Sequence, residues 1–461
     1  MDASRPILPV SGNFRRMVYS IQTDSGIFFL KYSPVQRKKD RLRFLALPWR
    51  IGTEWRNLAR LRKKGIAAPR RILFGYRGLF PNLGFFLVTR EVPGATIDRR
   101  NPDQVLALAA FMAGLHERGV FHRDIHPDNI LMDHNGTPTL LDVQEVYFLP
   151  WLPRRLKISN LGQLWWHICS PPGGPVTLEA FLQAYNTGEN APVSAAEVEK
   201  AADRRQQRYY RSRDERCCKN STEFQVIRNG SSFRGFKRRD FAWGKAELQI
   251  ALDRGKQIKG ENLLVHEAVC VKIHKKRLFH RDRSLTGWKM SRALAIRGIG
   301  VPVALAYFVL PEFTCLLSVF YGDGLRLNDY FSTSMSGPEK KAAIRRLAGW
   351  LRTCHDLNIW QRDFKSSNVL VVDGQFMMVD LESVKICRKI SPKRELINLA
   401  QLNASLSHRL TIKDRLRFFH SYYRNALPPR RERRRAYQTI WRITRGKNTL
   451  PFGLDPEKIQ P

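Results

Sequence analysis

Two short apolar runs, each closing on a lysine, are the first elements readable along this chain. Gly26-Ile27-Phe28-Phe29-Leu30-Lys31 and Ala268-Val269-Cys270-Val271-Lys272 have the length and the aromatic or β-branched content of buried strands. An amphipathic stretch follows the first run. Leu58 and Leu61 stand at i and i+3, and Gly65 then Pro69 mark a helix end. Trp55, Gly65-Ile66 and Pro69 return with the same spacing as Trp288, Gly298-Ile299 and Pro302. Beyond each helix the pattern predicts a hairpin. Residues 71–78 and 84–89 flank a Phe-Pro-Asn-Leu turn, and residues 304–310 and 315–321 flank Pro311-Glu312-Phe313-Thr314. Residues 301–321 form the most lipid-like stretch but carry Pro302, Pro311 and Glu312. They read as that second hairpin and not as a membrane span, which needs about 20 uninterrupted apolar residues.

The polar positions that follow are also written twice. His122-Arg123-Asp124-Ile125-His126-Pro127-Asp128-Asn129 and Gln361-Arg362-Asp363-Phe364-Lys365-Ser366-Ser367-Asn368 each hold an Arg-Asp pair with Asn five residues after the Asp. Each is trailed by an apolar run ending in a second acid, Asp142 or Asp380, 18 and 17 residues beyond the first. A strand, a turn and a strand fit that interval. This grammar suits phosphoryl transfer from ATP. The first Asp orients or deprotonates the acceptor hydroxyl, while the Asn and the second Asp hold Mg2+ that neutralises phosphate charge. Lys31 and Lys272 lie 93 and 91 residues before Asp124 and Asp363, where a strand lysine on the nucleotide phosphates is expected. Glu54, just before Trp55, would position Lys31. Gly287 stands at the matching place before Trp288, so Lys272 lacks that carboxylate and either needs another partner or is poorly placed. Asn160-Leu161-Gly162-Gln163-Leu164 and Asn398-Leu399-Ala400-Gln401-Leu402 extend the repeat. The chain reads as a tandem duplication, with a kinase-like domain over 1–200, a basic linker over 201–221 and a second kinase-like domain over 222–461.

Composition adds less than charge does. The 461 residues, 43% hydrophobic, suffice for two or three cores. The start, Met1-Asp2-Ala3-Ser4-Arg5-Pro6, lacks the apolar stretch of a signal peptide. Seven Cys without a Cys-x-x-Cys pair suggest reduced thiols. Lys and Arg total 79 against 41 acids, a formal charge of +38. Runs such as Arg37-Lys38-Lys39, Lys237-Arg238-Arg239, Lys275-Lys276-Arg277 and the one over 430–435 argue for a polyanionic partner. Near an anionic bilayer each basic side chain contributes about 1 kcal/mol. Tyr437, Ile440 and Trp441 fall at near-helical spacing, which suits either an interfacial helix or one that closes the second domain. Nucleic acid is not the expected partner, because no recognised binding motif or interleaved aromatic platform accompanies the charge.

Taken together these residues resemble the lipopolysaccharide kinase family, whose members phosphorylate heptose or Kdo sugars of the inner core in Gram-negative bacteria. The Arg-Asp-x4-Asn loops, the helix pattern Trp-x9-Gly-Ile-x-x-Pro, and Lys31 in Phe-Leu-Lys-Tyr with Lys272 in Cys-Val-Lys-Ile carry the resemblance. It extends over about residues 12–210 and 224–445. Aminoglycoside and choline kinases share Asp-x-His-Pro-x-Asn, present here as Asp124, His126, Pro127 and Asn129, and stay close alternatives.

The resemblance implies an α+β fold of two tandem bilobal protein-kinase-like domains, each with a small antiparallel-sheet N-lobe and a mostly helical C-lobe. It implies Asp124 and Asp363 as catalytic, and Asn129, Asp142, Asn368 and Asp380 as magnesium ligands. Lys31, Lys272 and Lys365 would contact ATP phosphates, with Glu54 pairing to Lys31. Gln361 replaces the usual His before Arg-Asp, a structural position. Ser11-Gly12-Asn13 and Gly230-Ser231-Ser232 are the best matches to a Gly-rich loop. The implied setting is the cytoplasmic face of the bacterial inner membrane, with an anionic glycolipid as acceptor. A regulatory protein with one or both domains inactive, or a kinase for another small molecule or a protein, is the alternative.

Overall fold

The computed structural model describes residues 7–13, 16–35, 52–78, 84–169, 176–187, 192–230, 232–258, 262–277, 279–406, 410–423 and 429–446. The run Arg37-Lys38-Lys39 and the turn at 80–83 lie outside them. The protein is mixed α+β, with antiparallel sheets and twelve α-helices among the described residues. It divides into two compact units, Met1–Arg208 and Tyr209–Pro461.

In the first unit β1 (Ile7–Asn13), β2 (Arg16–Thr23) and β3 (Gly26–Pro34) lead to helix α1 (Thr53–Lys63). Strands β4 (Arg71–Arg77) and β5 (Gly84–Arg90) are the expected hairpin, and the sheet order is β1-β2-β3-β5-β4. Below the sheet, β6 (Ala95–Thr96) precedes α2 (Pro102–Glu117), which Asn101 caps through its side chain with Pro102 at the first turn. The signature loop runs from β7 (Val120–His122) to β8 (Ile130–Met132), and β9 (Pro138–Leu140) and β10 (Val146–Phe148) bracket Asp142. Helices α3 (Arg154–Ile168), α4 (Leu178–Tyr185) and α5 (Ala195–Asp214) complete it. Leu108, Met112, Leu161, Leu164 and Phe181 are fully buried in the core between α2, α3 and α4. Trp165 and Trp166 pack on this core.

Gly162 has a particular reason to be glycine. A Cβ there would lie 2.4 Å from the Ala201 Cβ and 2.8 Å from its backbone carbonyl carbon, so only glycine lets α3 and α5 come this close. The boundary between units falls after Arg208, inside α5. The stretch read as a basic linker, 201–221, is therefore helical through Asp214 and turns once more at Glu215–Cys218.

The second unit starts with β11 (Phe224–Asn229), β12 (Phe233–Arg238) and α6 (Lys245–Arg254). Then come β13 (Lys256–Gln257), β14 (Leu263–His266), β15 (Val269–Lys275), α7 (Arg283–Ile296) and the second expected hairpin, β16 (Ala304–Val309) with β17 (Phe313–Val319). Sheet order is β11-β12-β16-β17-β15-β14-β13. Read from the β13 end, its first five strands repeat the order of the first unit, and β12 and β11 are an addition on the far edge. Gly230-Ser231-Ser232 therefore does not match the β1–β2 turn. It is the turn of the added hairpin, and residue 231 itself lies outside the described residues. The strand pair equivalent to β1 and β2 is β13 and β14.

Strand β18 (Leu325–Arg326) and helix α8 (Leu327–Tyr330) lead into α9 (Gly337–Asp356), which a Ser336–Glu339 capping box opens. Strands β19 (Ile359–Gln361), β20 (Val369–Val372), β21 (Gln375–Met378) and β22 (Val384–Ile386) bracket the second signature loop and Asp380. Helices α10 (Pro392–Ser405), α11 (Ile412–Tyr422) and α12 (Arg430–Gly446) end the unit. Tyr437 of α12 stacks on Phe419 at 4.1 Å, Ile440 packs on the core and Thr444 is buried. Of the two readings of this basic segment, α12 is the helix that closes the unit. No described helix is long and apolar enough to cross a membrane.

Candidate active site

In the first unit β3 carries Lys31 and the first turn of α1 carries Glu54, and the two meet at 2.5 Å. Arg16, at the start of β2, donates to Glu54 Oε2 at 2.8 Å and to Asp142 Oδ2 at 3.4 Å. Lys31, Glu54 and Asp142 thus share one cleft, joined by an arginine that the motif gives no reason to expect. Burial raises the Asp142 pKa, but Arg16, Lys31 and the Gln144 N–H outweigh it and hold the carboxyl below its ordinary range. Asp142 Oδ1 is buried with no hydrogen-bond partner among the described residues.

The signature loop is set by its own side chains. Asn129 Nδ2 donates to the Asp124 carbonyl at 3.2 Å, and the Leu141 N–H donates to the Asn129 carbonyl at 2.9 Å. His122 accepts from the Asp124 N–H through Nδ1 at 3.1 Å and donates through Nε2 to the Asp142 carbonyl at 2.6 Å, so one ring ties the two acids' backbones together. Asp124 Oδ1 accepts from Gln163 Nε2 at 3.1 Å and from Arg205 Nη2 at 3.0 Å. Both donors come from the close α3–α5 pair that Gly162 permits.

The second unit reaches a similar layout by other means. Lys272 Nζ donates to Asp380 Oδ1 at 2.7 Å and also pairs with Glu382. Glu382 is the partner that Gly287 cannot provide. Its side chain is 3% exposed, His274 Nε2 sits 3.2 Å away and Arg283 Nη2 3.5 Å away. Burial opposes its ionisation, yet His274 and Lys272 hold its pKa down to about 2. Burial would lower the Lys272 pKa, but Glu382 and Asp380 raise it. Asp380 itself adopts φ 59, a left-handed conformation that Asp tolerates at a small cost.

Asn368 Nδ2 donates to the Asp363 carbonyl at 2.8 Å, matching Asn129, and Lys365 Nζ lies 2.7 Å from Asp363 Oδ2. Gln361 takes over from His122, since its Nε2 donates to the Val379 carbonyl at 2.9 Å. Gln401 does not copy Gln163. Its amide binds the loop backbone instead, donating to the Arg362 carbonyl at 2.7 Å and accepting from the Phe364 N–H at 3.0 Å.

Beneath both loops lies one repeated frame. Asn160 Nδ2 donates to the His122 carbonyl and Asn398 Nδ2 to the Gln361 carbonyl, each at 2.7 Å. A buried histidine backs each Asn. His116 lies 3.4 Å from Asn160 Oδ1 and 2.9 Å from the Tyr185 hydroxyl, while His355 lies 3.3 Å from Asn398 Oδ1 and 2.5 Å from the Tyr422 hydroxyl. Burial drives their pKa values down, to about 3 and about 4, so both rings are neutral near pH 7. The Asn of the repeat was visible in the chain, but its histidine and tyrosine partners lie 44 and 25 residues from Asn160 and show no motif.

Residues 12–185 match the lipopolysaccharide kinase (Kdo/WaaP) family. The matched span holds Lys31, Glu54, Asp124, Asn129 and Asp142, and it implies a phosphotransferase. No curated protein matches the chain. Among solved structures, the bifunctional kinase-methyltransferase WbdD is similar at 17% identity over 41% of this chain, with a TM-score of 0.25. The chain spans 47% of that protein, and a likeness so slight has no bearing on the chemistry.

Proposed function

We propose that the chain is an ATP- and Mg2+-dependent kinase built from two tandem bilobal kinase-like domains, whose acceptor is a sugar hydroxyl of lipopolysaccharide inner core. The carrying observation is the first cleft, in which Lys31 is paired to Glu54 and bridged through Arg16 to Asp142. A fold needs none of these charges gathered half-buried in one cleft, and such a cluster is what a phosphate-binding and metal-binding site requires.

Asn129 with Asp142, and Asn368 with Asp380, would hold the metal. The orphaned Asp142 Oδ1 and the amide oxygens of Asn129 and Asn368 are the hard oxygen donors that Mg2+ takes. Bound there, Mg2+ supplies charge neutralisation for the phosphates. Lys31 and Lys272 would bind and orient the nucleotide tail. Asp124 Oδ1 is engaged by Gln163 and Arg205, which leaves Oδ2 to receive the proton of the acceptor hydroxyl. Asp363 would do the same in the second cleft, with Lys365 directed at the transferring group. Positioning and charge supply the rate enhancement. The net charge of +38 supports an anionic glycolipid acceptor met at the cytoplasmic face of the inner membrane.

A second reading keeps the first cleft active and makes the second a nucleotide-binding regulator. Its observation is Gly287, where a Cβ would meet Leu316 Cδ2 at 2.7 Å, so α7 carries no carboxylate. The test uses purified protein with labelled ATP, Mg2+ and lipopolysaccharide. Asp124→Asn and Asp363→Asn should each remove phosphate incorporation by about 100-fold or more at their own acceptor position. Loss with Asp124→Asn alone would select the regulatory reading, and loss with neither would overturn both.

A further inference from the structure

The second unit holds a cavity of about 1330 Å3 that contains none of the proposed transfer residues Lys272, Asp363, Asn368 and Asp380. Its floor is a face of the sheet that runs from the added strands β11 and β12 across β16 and β17 to β15. Pairing runs in register from Arg228 on β11 to Arg234 on β12, Val309 on β16, Thr314 on β17 and His274 on β15, and all five line the cavity. The segment before α7 forms the wall, with Lys275, Arg277 and Arg281.

The charge of this cavity is not neutralised from within. Asp282 is the acid among its lining residues, and that carboxylate is already engaged. It accepts from the Tyr307 hydroxyl at 2.5 Å, the Thr314 hydroxyl at 3.2 Å and the Leu285 N–H at 2.9 Å as the cap of α7. Among the described residues no carboxylate pairs with Arg228, Arg234, Lys275, Arg277 or Arg281. Arg228 and Arg234 are moreover direct cross-strand partners, an arrangement of like charges that destabilises a hairpin. Five unpaired cations around one concavity, two of them set against each other at a cost to the hairpin, suit a ligand that supplies several negative charges at once.

We infer that this cavity binds a ligand bearing clustered phosphomonoesters, as a free polyphosphorylated sugar or as a phosphorylated lipid headgroup, apart from both transfer clefts. The volume exceeds what one phosphate fills and accommodates a body of sugar size. Phe279, fully exposed in the same segment, favours the lipid-borne source. The inference stands whether or not either cleft transfers phosphate, because the arginines that carry it, Arg228 and Arg234, belong to neither cleft, while His274 borders the second cleft through its ring nitrogen on Glu382.

Calorimetry of the full chain with inositol hexakisphosphate tests the free form, and co-sedimentation with phosphatidylcholine vesicles carrying phosphatidic acid tests the lipid form. Arg228→Glu should weaken binding of at least one probe by about tenfold or more, and Arg228→Glu with Arg234→Glu should weaken it further. Arg228→Glu also turns the like-charge pair into an ion pair, so its melting temperature should hold or rise while affinity falls. Opposed movement of stability and affinity separates ligand binding from damage to the hairpin. Dependence of the soluble probe alone on these arginines identifies a free ligand, and dependence of the vesicles identifies a lipid headgroup. Affinities for both probes unchanged in the double variant would overturn the inference.

Discussion

The two clefts solve one electrostatic problem from different places in the chain. Each holds a half-buried lysine that needs a carboxylate. In the first unit it is Glu54, on the first turn of α1, while Gln144, two residues beyond Asp142, is exposed. In the second unit α7 offers Gly287, and the carboxylate is Glu382, two residues beyond Asp380. Helix glutamate and loop glutamate have changed places with glycine and glutamine. The requirement belongs to the ammonium and its burial, and any nearby backbone that can present an acid meets it. The consequence differs, however. Lys31 is paired only while α1 keeps its place against the sheet, whereas Lys272 takes both of its carboxylates from one short segment, Asp380 to Glu382.

The sharpest way to break this comparison is to neutralise each glutamate. Glu382→Gln leaves Lys272 and His274 facing a site 3% exposed, and should destabilise the second unit by about 3 kcal/mol in chemical denaturation. Glu54→Gln acts in a more open site and should cost nearer 1 kcal/mol. Equal effects would mean that the two acids are not differently buried.

Acid should treat the units alike. His116 and His355 are buried neutral, so their folded pKa values lie below the unfolded value of 6.5. Below pH 6.5 the unfolded chain takes up protons that the folded chain refuses. The stability from each ring is fully present above pH 6.5 and is lost as pH falls toward about 3 for His116 and about 4 for His355, at up to about 1.4 kcal/mol per pH unit per histidine. Denaturation at pH 7, 6 and 5 checks the slope, and His355→Gln should flatten it for the second unit only.

A smaller effect tests the proposed bases. Arg205→Ala removes one of two donors to Asp124 Oδ1, and should lower kcat of the first site by about tenfold while KM for ATP stays put. An equal rise in KM would show that Arg205 serves nucleotide binding instead. The smallest change is Gly287→Ala. Alanine gains helix propensity but presses on Leu316 Cδ2, a movable methyl, so stability should shift by less than about 1 kcal/mol. A larger loss would mean that α7 is clamped to the sheet more tightly than α1.

Much of this protein was determined by local pattern alone. Strand runs ending in Lys31 and Lys272, the helix over Leu58 and Leu61, both hairpins and both Arg-Asp-x4-Asn loops could be read because their side-chain periodicity and spacing are short-range properties. Glu54 was found the same way, by its place beside Trp55. Other features were settled only by folding. Glu382, Arg16 and Arg205 act across 110, 126 and 81 residues, on Lys272, Asp142 and Asp124 respectively, and nothing in their neighbours marks them. The same holds for the His116 and His355 frames, and for the β11–β12 hairpin, whose strand character was plain but whose place beyond β16 was not. Charge and hydrogen-bond partners are chosen by distance in space, and distance in space between remote segments is fixed by the packing of sheet on helix, which no local stretch of sequence encodes.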